Sequence, residues 1–372
     1  MQAVMLVGGE GTRLRPLTCT LPKPMVPLLN RPFLEHALTR LKSHGVTEAF
    51  LAVGYLAQQI QDHFGDGGGV GLTLHYGQEA RPLGTAGAVK LVAPSLRGTF
   101  LVCNGDVFTD LDISAMLAFH REKRAKATIF LTSVENPSAF GVVEVDSQGR
   151  VKRFIEKPPP DRVTSHWING GAYLLEPEVL DEVPPGDFSM FEYDLFPRLV
   201  EMGASVYGYQ ARPYWLDMGT TYSYLKLHQD LLLGRISVGA LSSENPERVW
   251  RGPACRVDAT AVLEGPLMLG DGCVIEAGAR VLGPTVLGEG CRIAAGASVR
   301  GSVIWADTTI GPEAILEECI VGRKVSLGPR VLVGPGCVVA DGVQVGEGNR
   351  LERGIALWPN KVLQPSSVAF MP

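Results

Sequence analysis

Through the last third of the chain, apolar side chains recur at every sixth position. Val257, Leu263, Leu269, Ile275, Val281, Leu287, Ile293, Val299 and Trp305 form a first run. A step of five leads to Ile310, a step of six to Leu316 and a second step of five to Val321, and sixes resume at Leu327, Val333, Val339, Val345, Leu351 and Leu357. A period of six suits neither an amphipathic helix, which repeats near 3.6, nor a half-buried strand, which repeats at 2. It suits a parallel β-helix, in which three short flat sides make one coil and each coil stacks its aliphatics on the next. Four positions after many rungs stands a small or apolar residue, as at Ala261, Cys273, Ala279, Cys291, Ala297, Val325, Val331 and Cys337. Glycine follows the rung at Gly270, Gly288, Gly311, Gly322, Gly328, Gly334 and Gly346. Cys255, Cys273 and Cys291 lie eighteen residues apart, as do Cys319 and Cys337, which is three hexapeptides. With no CxxC pair among the seven cysteines, these are expected to be small buried thiols in a repeat, not metal ligands or disulfide partners. Trp358, Pro359 and the tail beyond them are expected to cap the last coil, which has no neighbour to bury its face.

The first 233 residues obey a different rule. Strand-like and helix-like stretches alternate over short connections: strands at 3–7, 48–53, 72–76, 99–103 and 127–134, and helices at 32–44, 56–64, 85–92, 113–124 and 222–233. A hairpin is expected from 141–145 and 151–155. The alternation predicts an α/β domain with a Rossmann-like, mostly parallel sheet and helices on both faces, whose ligands lie beyond the carboxyl ends of the strands. Gly, Ser, Pro and Asn accumulate over 234–254, so the chain divides into a first domain, 1–233, a linker, 234–254, and the β-helix, 255–372. Charged residues make up 20% of the chain and the net charge is −5, so no overall basic field favours nucleic acid and any phosphate site must be a local pocket. No window holds eighteen uninterrupted apolar residues and the chain opens directly on its first strand, which points to a cytoplasmic protein that does not enter a membrane.

After the first strand comes VGGEGTRLRPLTCTLPKP, residues 7–24, with Gly8, Gly9 and Gly11 within four positions. Without Cβ atoms, successive backbone N–H groups can turn toward one point and approach an anion closely. Thr12 adds a hydroxyl, Arg13 and Arg15 add forks suited to phosphate oxygens, and Lys23, between Pro22 and Pro24, is a cation on a stiffened backbone. A glycine cluster after a strand is more often a plain tight turn, and the spacing matches neither GxGxxG nor the P-loop. The convergence of glycines, arginines and a proline-clamped lysine favours a cradle for several phosphates.

Three later stretches bring chemistry to comparable places. Asn104, Gly105 and Asp106 follow the apolar strand, which sets the Asp106 carboxylate at the ligand edge, although Asn-Gly is also a common turn pair. The second strand of the hairpin delivers Glu156 and Lys157 just before Pro158, where a solvated ion pair would be unremarkable. In YWLDMG, Asp217 precedes a helix, for which its plain structural role would be that of a cap.

GGxGTRLxPLT followed by PKP resembles the signature of the sugar-1-phosphate nucleotidylyltransferases, and the likeness extends through MVPLLNRPFLEH and most of the chain. The hexapeptide ladder resembles the left-handed β-helix of hexapeptide proteins. The resemblance implies an enzyme that makes an NDP-sugar and pyrophosphate from a nucleoside triphosphate and a sugar 1-phosphate. It implies that Arg13 and Lys23 are the signature arginine and lysine, and that Asp106 and Asp217 hold a divalent metal, normally Mg²⁺, against the nucleotide. Two carboxylates distant in sequence suit that hard cation, which completes its shell with phosphate oxygens and water. Lys157 joins these four as a catalytic position. Glu156 and Lys157 match the EKP motif that meets the sugar phosphate, together with Gly141, Asn169 and Gly170. Leu6, Gly8, Gly9, Gly11, Thr12, Arg13, Gln78, Glu79 and Gly84 are the implied nucleotide contacts.

The segment QEARPLGTAG, 78–87, resembles the base-reading loop, and its PLGTAG form is similar to that of mannose-1-phosphate guanylyltransferases. Glu79 suits the N1 and N2 donors of guanine, whereas a glutamine such as Gln78 suits thymine or uracil, and the sequence leaves open which of the two faces the base. GTP with mannose 1-phosphate is favoured, with thymidylyl or adenylyl transfer to glucose 1-phosphate behind it. A bifunctional enzyme that also acetylates sugars on its β-helix generally carries a histidine base there, and all seven histidines, His36 to His228, precede the ladder. A non-catalytic regulatory subunit would show degenerate signatures, yet Arg13, Lys23, Asp106, Lys157 and Asp217 are all present. The β-helix is then expected to serve subunit association, in a homodimer or homotetramer, or allosteric control.

Overall fold

The computed structural model describes residues 1–79, 81–236 and 248–368. Most of the expected linker, 234–254, and the end of the expected capping tail, 369–372, lie outside the described residues. The chain forms two compact units, one of Met1–Glu10 and Leu34–Asp217, the other of Gly11–Phe33 and Met218–Pro372.

The first unit is built on a nine-stranded sheet. Gln2–Leu6, an apolar strand with Ala3 and Val4 fully buried, pairs in parallel with Glu48–Val53 on one side and Phe100–Asn104 on the other. Glu48–Val53 continues in parallel to Thr73–Gln78, and Ala127–Ser133 pairs in parallel with Val206–Gln210. The expected hairpin forms from Gly141–Val145 and Val151–Glu156. The sheet is nevertheless mixed, not mostly parallel, because Trp167–Leu175 runs antiparallel to Phe100–Asn104, Ala127–Ser133 and Gly141–Val145. Its Asn169-Gly170-Gly171 centre interrupts the apolar period and hides the strand from a sequence reading. Between Asn169 and Tyr173 the register against Ala127–Ser133 slips, with Asn169 opposite Leu131 and Tyr173 opposite Ile129. A bulge of this kind re-aims the side chains next to it. The core beneath is aromatic, with the rings of Tyr173, Phe191 and Phe196 mutually packed at 4.9 to 5.3 Å between centroids.

The second unit contains the β-helix. Three stacks of short parallel strands, two of seven and one of six, form its flat sides. Successive coils are eighteen residues apart at both ends, as in Arg256 opposite Val274, and seventeen in the middle, as in Val286 opposite Val303 and Val303 opposite Ile320. The shortened coil corrects one rung of the sequence reading. Ile304, not Trp305, stands opposite Leu287 and Val321 and joins the coil interior. The five-residue step therefore comes before this rung, and the Trp305 indole is released for another task. Glycines follow the rungs because the coils touch there: a Cβ on Gly288 would lie 2.4 Å from the Ala306 amide nitrogen of the next coil. Cys273, Cys291, Cys319 and Cys337 are free, buried thiols of the coil interior, and burial pushes the thiol of Cys273 up to about 12. The helix Thr221–Leu232 packs on the coil strand Thr285–Leu287.

Candidate active site

In the first unit, the carboxyl ends of the parallel strands are stitched together by backbone. The Val7 N–H donates to Ala52 O at 3.1 Å, Gly105 N–H to Leu6 O at 2.9 Å and Tyr55 N–H to Gly8 O at 3.3 Å. Leu6 itself pairs with Asn104. Glycine at 105 is required, since a Cβ would sit 2.6 Å from Leu6 O. A Cβ on Gly8 would stand 3.4 Å from Gly54 N, an ordinary contact, while a Cβ on Gly9 would meet nothing within 4 Å, so this part of the loop faces open space.

Asp106 occupies the turn after Phe100–Asn104, and the chain returns as the strand Val107–Thr109. Trp215–Asp217 pairs antiparallel with that strand and sets Asp217 opposite Val107, one residue from Asp106. Two carboxylates 111 positions apart in sequence are thus neighbours on one ribbon. Asp217 does not cap the following helix, because Thr220 does so, with its hydroxyl accepting from the Ser223 N–H at 3.1 Å. An all-oxygen donor pair of this kind fits a hard divalent cation that takes its remaining ligands from phosphate and water. Among the described residues no group of three or more His, Cys, Asp or Glu side chains converges to offer a fuller protein cage.

A second set of side chains surrounds the bulge. Glu156, whose side chain is 11% exposed, ends its strand with Oε1 3.7 Å from Lys157 Nζ. Lys157 takes a left-handed backbone, φ +46°, and its N–H is fixed to Phe140 O at 3.0 Å, so it turns out of the hairpin. For a non-glycine residue such a conformation costs about 1–2 kcal/mol. Gly141 lies under Glu156, as a Cβ there would be 2.6 Å from Glu156 Oε2. Gly170 packs flat on the Phe130 ring and accepts a hydrogen bond on its carbonyl from Trp215 Nε1 at 3.0 Å. Gly171, at φ +77°, presses on Asn104, whose Oδ1 is buried and makes no hydrogen bond among the described residues.

A polar relay joins this region to the 78–87 segment. Asn169 accepts the Gly171 N–H at 3.0 Å and donates through Nδ2 to Tyr173 OH at 2.8 Å. The Tyr173 hydroxyl lies 3.5 Å from Glu192 Oε1, and Thr85 donates to Glu192 Oε2 at 2.9 Å. Burial, and secondly the negative charge of Glu192, raise the Glu156 carboxyl above its ordinary range, and Lys157 opposes them. Glu192 reaches this position from a π-helical turn, Phe191–Leu195, a form common where function needs a re-aimed side chain. Sequence reading missed Glu192, Tyr173, Thr85 and Trp215. Glu192 alone left a trace, as one of two carboxylates, with Asp194, in the otherwise apolar run SMFEYDLF.

Gln78 ends its strand exposed, whereas Glu79 is engaged, its Oε2 accepting the Leu83 N–H at 2.8 Å. Gly84, φ +75°, serves packing, because a Cβ would lie 2.5 Å from Ser189 O, and that carbonyl also receives the Ala86 and Gly87 amides.

The remaining predicted residues belong to the second unit. Gly11 is left-handed, φ +63°, and starts the short helical turn Thr12–Leu14, which leaves Thr12 and Arg13 exposed. A Cβ on Gly11 would stand 3.0 Å from Lys23 Cβ and 3.1 Å from Thr18 Cγ2. Lys23 is 8% exposed, and the Thr18 hydroxyl ties the turn by donating to Gly11 O at 2.8 Å.

Residues 2–233 match the nucleotidyl transferase family, and residues 247–351 match the left-handed β-helix (LbH) domain described for EIF2B subunit epsilon. A mannose-1-phosphate guanylyltransferase of Mycobacterium tuberculosis is 41% identical over 73% of this chain and 74% of its own. A UTP–glucose-1-phosphate uridylyltransferase of Synechocystis is 35% identical over 87% of this chain and 88% of its own. Among solved structures, HddC of Yersinia pseudotuberculosis, also known in complex with GMP-PN, is 28% identical and superposes with a TM-score of 0.54 over 61% of this chain and 97% of its own. No helix among the described residues is long and apolar enough to cross a membrane. With a family match spanning residues 2–233, the chain belongs to the nucleotidyl transferase family, extended at its carboxyl end by a left-handed β-helix.

Proposed function

We propose that the chain transfers a guanylyl group from GTP to mannose 1-phosphate. A phosphate oxygen of the sugar 1-phosphate attacks the α-phosphorus, the bond to the bridging oxygen breaks, and pyrophosphate departs to leave GDP-mannose. The nucleophile is already ionised near neutrality, so no strong general base is needed and positioning carries the rate. The observation that carries the reading is the strand pairing that makes Asp106 and Asp217 neighbours at the carboxyl edge of the sheet. Mg²⁺ bound by this pair would neutralise phosphate charge. In this reading Gly8, Gly9 and Gly11 present amides to the triphosphate, with Leu6 and Thr12 beside them. Arg13 holds the departing pyrophosphate, and Lys23 steadies the α-phosphate. Lys157 orients the incoming sugar phosphate, and Glu156, Gly141, Asn169 and Gly170 hold the sugar. Gln78 or Glu79 reads the base, with Gly84 shaping the loop. The domain bounds of 1–233 and 255–372 and a homo-oligomer built through the β-helix belong to the same proposal.

Support for guanine and mannose comes from the 41%-identical relative, while the uridylyltransferase that matches 87% of the chain keeps UTP with glucose 1-phosphate as the second reading. Pyrophosphate release across a panel of triphosphates and sugar 1-phosphates decides between them, and a rate highest for any pair other than GTP and mannose 1-phosphate rejects the first. Asp106→Asn is expected to abolish Mg²⁺-dependent turnover in a folded protein. Near-normal turnover in that variant would dismiss the carboxylate pair as the metal site.

A further inference from the structure

We propose that the β-helix is part of the catalytic apparatus: Trp305 and Asp341 of its coils, with Tyr224 and His228 of the adjoining helix, position the loop that carries Arg13 and Lys23. The proposal rests on the roles given above to those two cations.

The anchors fall on both sides of Lys23. Ahead of it, the Thr20 hydroxyl donates to Asp341 Oδ2 at 3.1 Å. Behind it, Pro27–Leu28 and Arg31–Pro32 form a minimal hairpin whose turn residues, Leu29 and Asn30, are both left-handed at φ 48° and 65°. Tyr224, fully buried, donates its hydroxyl to Pro27 O at 2.5 Å, and that hydroxyl accepts from Trp305 Nε1 at 2.9 Å. The Leu29 N–H donates to His228 Nε2 at 3.3 Å, while His228 Nδ1 lies 3.1 Å from Tyr224 O. Because Nε2 must accept from an amide, the ring proton belongs on Nδ1, and the histidine is a neutral bracket between loop and helix. Asn30 Nδ2 reaches the coil itself and donates to Leu287 O at 2.9 Å.

These contacts close on themselves. Asp341 is held by Arg323 at 3.1 Å, and the Arg323 guanidinium lies 5.9 Å over the Trp305 ring. A path therefore runs from Trp305 through Tyr224 to Pro27, along the loop past Lys23 to Thr20, and back through Asp341 and Arg323. Two of the anchored groups, Pro27 O and Leu29 N–H, are backbone atoms, so the fastening fixes chain position and not merely a side chain. The one-residue shortening of the coil, which gives Ile304 the interior rung, is what makes the Trp305 indole available. Inside the loop, the contact of Gly11 with Lys23 and the Thr18 hydrogen bond to Gly11 O pass that position on to the turn bearing Arg13. A device for subunit assembly alone would have no need of such fastening.

The test uses the full chain with Tyr224→Phe, Trp305→Phe, their double variant, Thr20→Val and Asp341→Asn, with Ile315→Ala on an exposed coil position as control. Amide hydrogen exchange over 11–33 is measured without substrate, and KM and kcat for triphosphate and sugar phosphate are measured separately. The expected result is faster loop exchange and a fall of about tenfold in kcat/KM for the triphosphate, with KM for the sugar phosphate within about twofold, as suits a small displacement of phosphate-binding groups. The double variant should fall no further than the worse single one, since both residues act through Pro27. Thr20→Val and Asp341→Asn, at the accessible edge, decide the matter if a buried variant fails to fold. Unchanged exchange overturns the anchoring, and faster exchange with unaltered kinetics overturns its catalytic role. If the wild-type chain releases no pyrophosphate from any substrate pair, the proposed function fails instead, while the exchange measurement still decides the anchoring.

Discussion

Replacing Gly11 by alanine tests the cradle at its tightest point. The residue is left-handed at φ +63°, a conformation that costs an L-residue about 1–2 kcal/mol and glycine almost nothing. The stiffer unfolded chain of the variant returns about 0.4–1 kcal/mol, so the backbone contribution is a net destabilisation of about 1 kcal/mol. Packing adds to it, because the new methyl would stand 3.0 Å from Lys23 Cβ and 3.1 Å from Thr18 Cγ2, well inside the 3.5–4.0 Å at which carbons pack. Lys23 or Thr18 must retreat by several tenths of an ångström. The expected outcome is a folded protein whose Tm falls by a few degrees, as about 1–2 kcal/mol does in a unit of this size, and whose kcat/KM for triphosphate falls by about 10- to 100-fold. Thermal unfolding followed by circular dichroism and pyrophosphate release measure the two effects. A variant with unaltered kcat/KM would refute the reasoning, since it would show that Lys23 can move without consequence for phosphate binding.

The Glu156 carboxyl is raised first by burial and then by Glu192, so the ionised acid that the proposed sugar contact requires is lost on acidification above the ordinary glutamate range. KM for sugar phosphate should therefore climb as pH falls through that raised value, and Glu192→Gln should move the climb to lower pH; an unmoved or upward-shifted profile contradicts the charge coupling. The same shift favours folding below the ordinary glutamate value and is lost as pH rises through the raised one, so Glu156→Gln should gain stability relative to wild type on the alkaline side, by denaturant titration. In the β-helix, Gly288→Ala would force a methyl to 2.4 Å from a backbone nitrogen and should prevent stacking of that coil, read as loss of soluble, cooperatively unfolding protein. Leu316→Ala, in the coil interior, should cost about 3 kcal/mol in denaturant unfolding, and a loss below about 1 kcal/mol would show that the coil can collapse around the vacancy.

Local regularity carried much of the architecture. The hexapeptide ladder determined a parallel β-helix by itself, because a repeat of identical coils needs only its period to specify which faces stack. The strands 48–53 and 127–133, the hairpin and the helices were legible from apolar periodicity and caps, and the glycine loop from residue type, whereas Asp106 and Asp217 were joined only through the family resemblance. What the chain in isolation could not settle was decided by partners distant in sequence. Trp167–Leu175 became an antiparallel strand through neighbours on both sides, despite a glycine pair that breaks its period. A shortened coil moved a rung from Trp305 to Ile304, visible only once Leu287 and Val321 stood beside it. Glu192 gained its meaning from Tyr173 and Thr85, and the Gly11–Phe33 loop grouped with the β-helix and not with the strand it follows, because its hydrogen bonds end on Tyr224, Leu287 and Asp341. Periodicity reports the face a residue buries; the residue it meets there is set by long-range pairing, which no local pattern encodes.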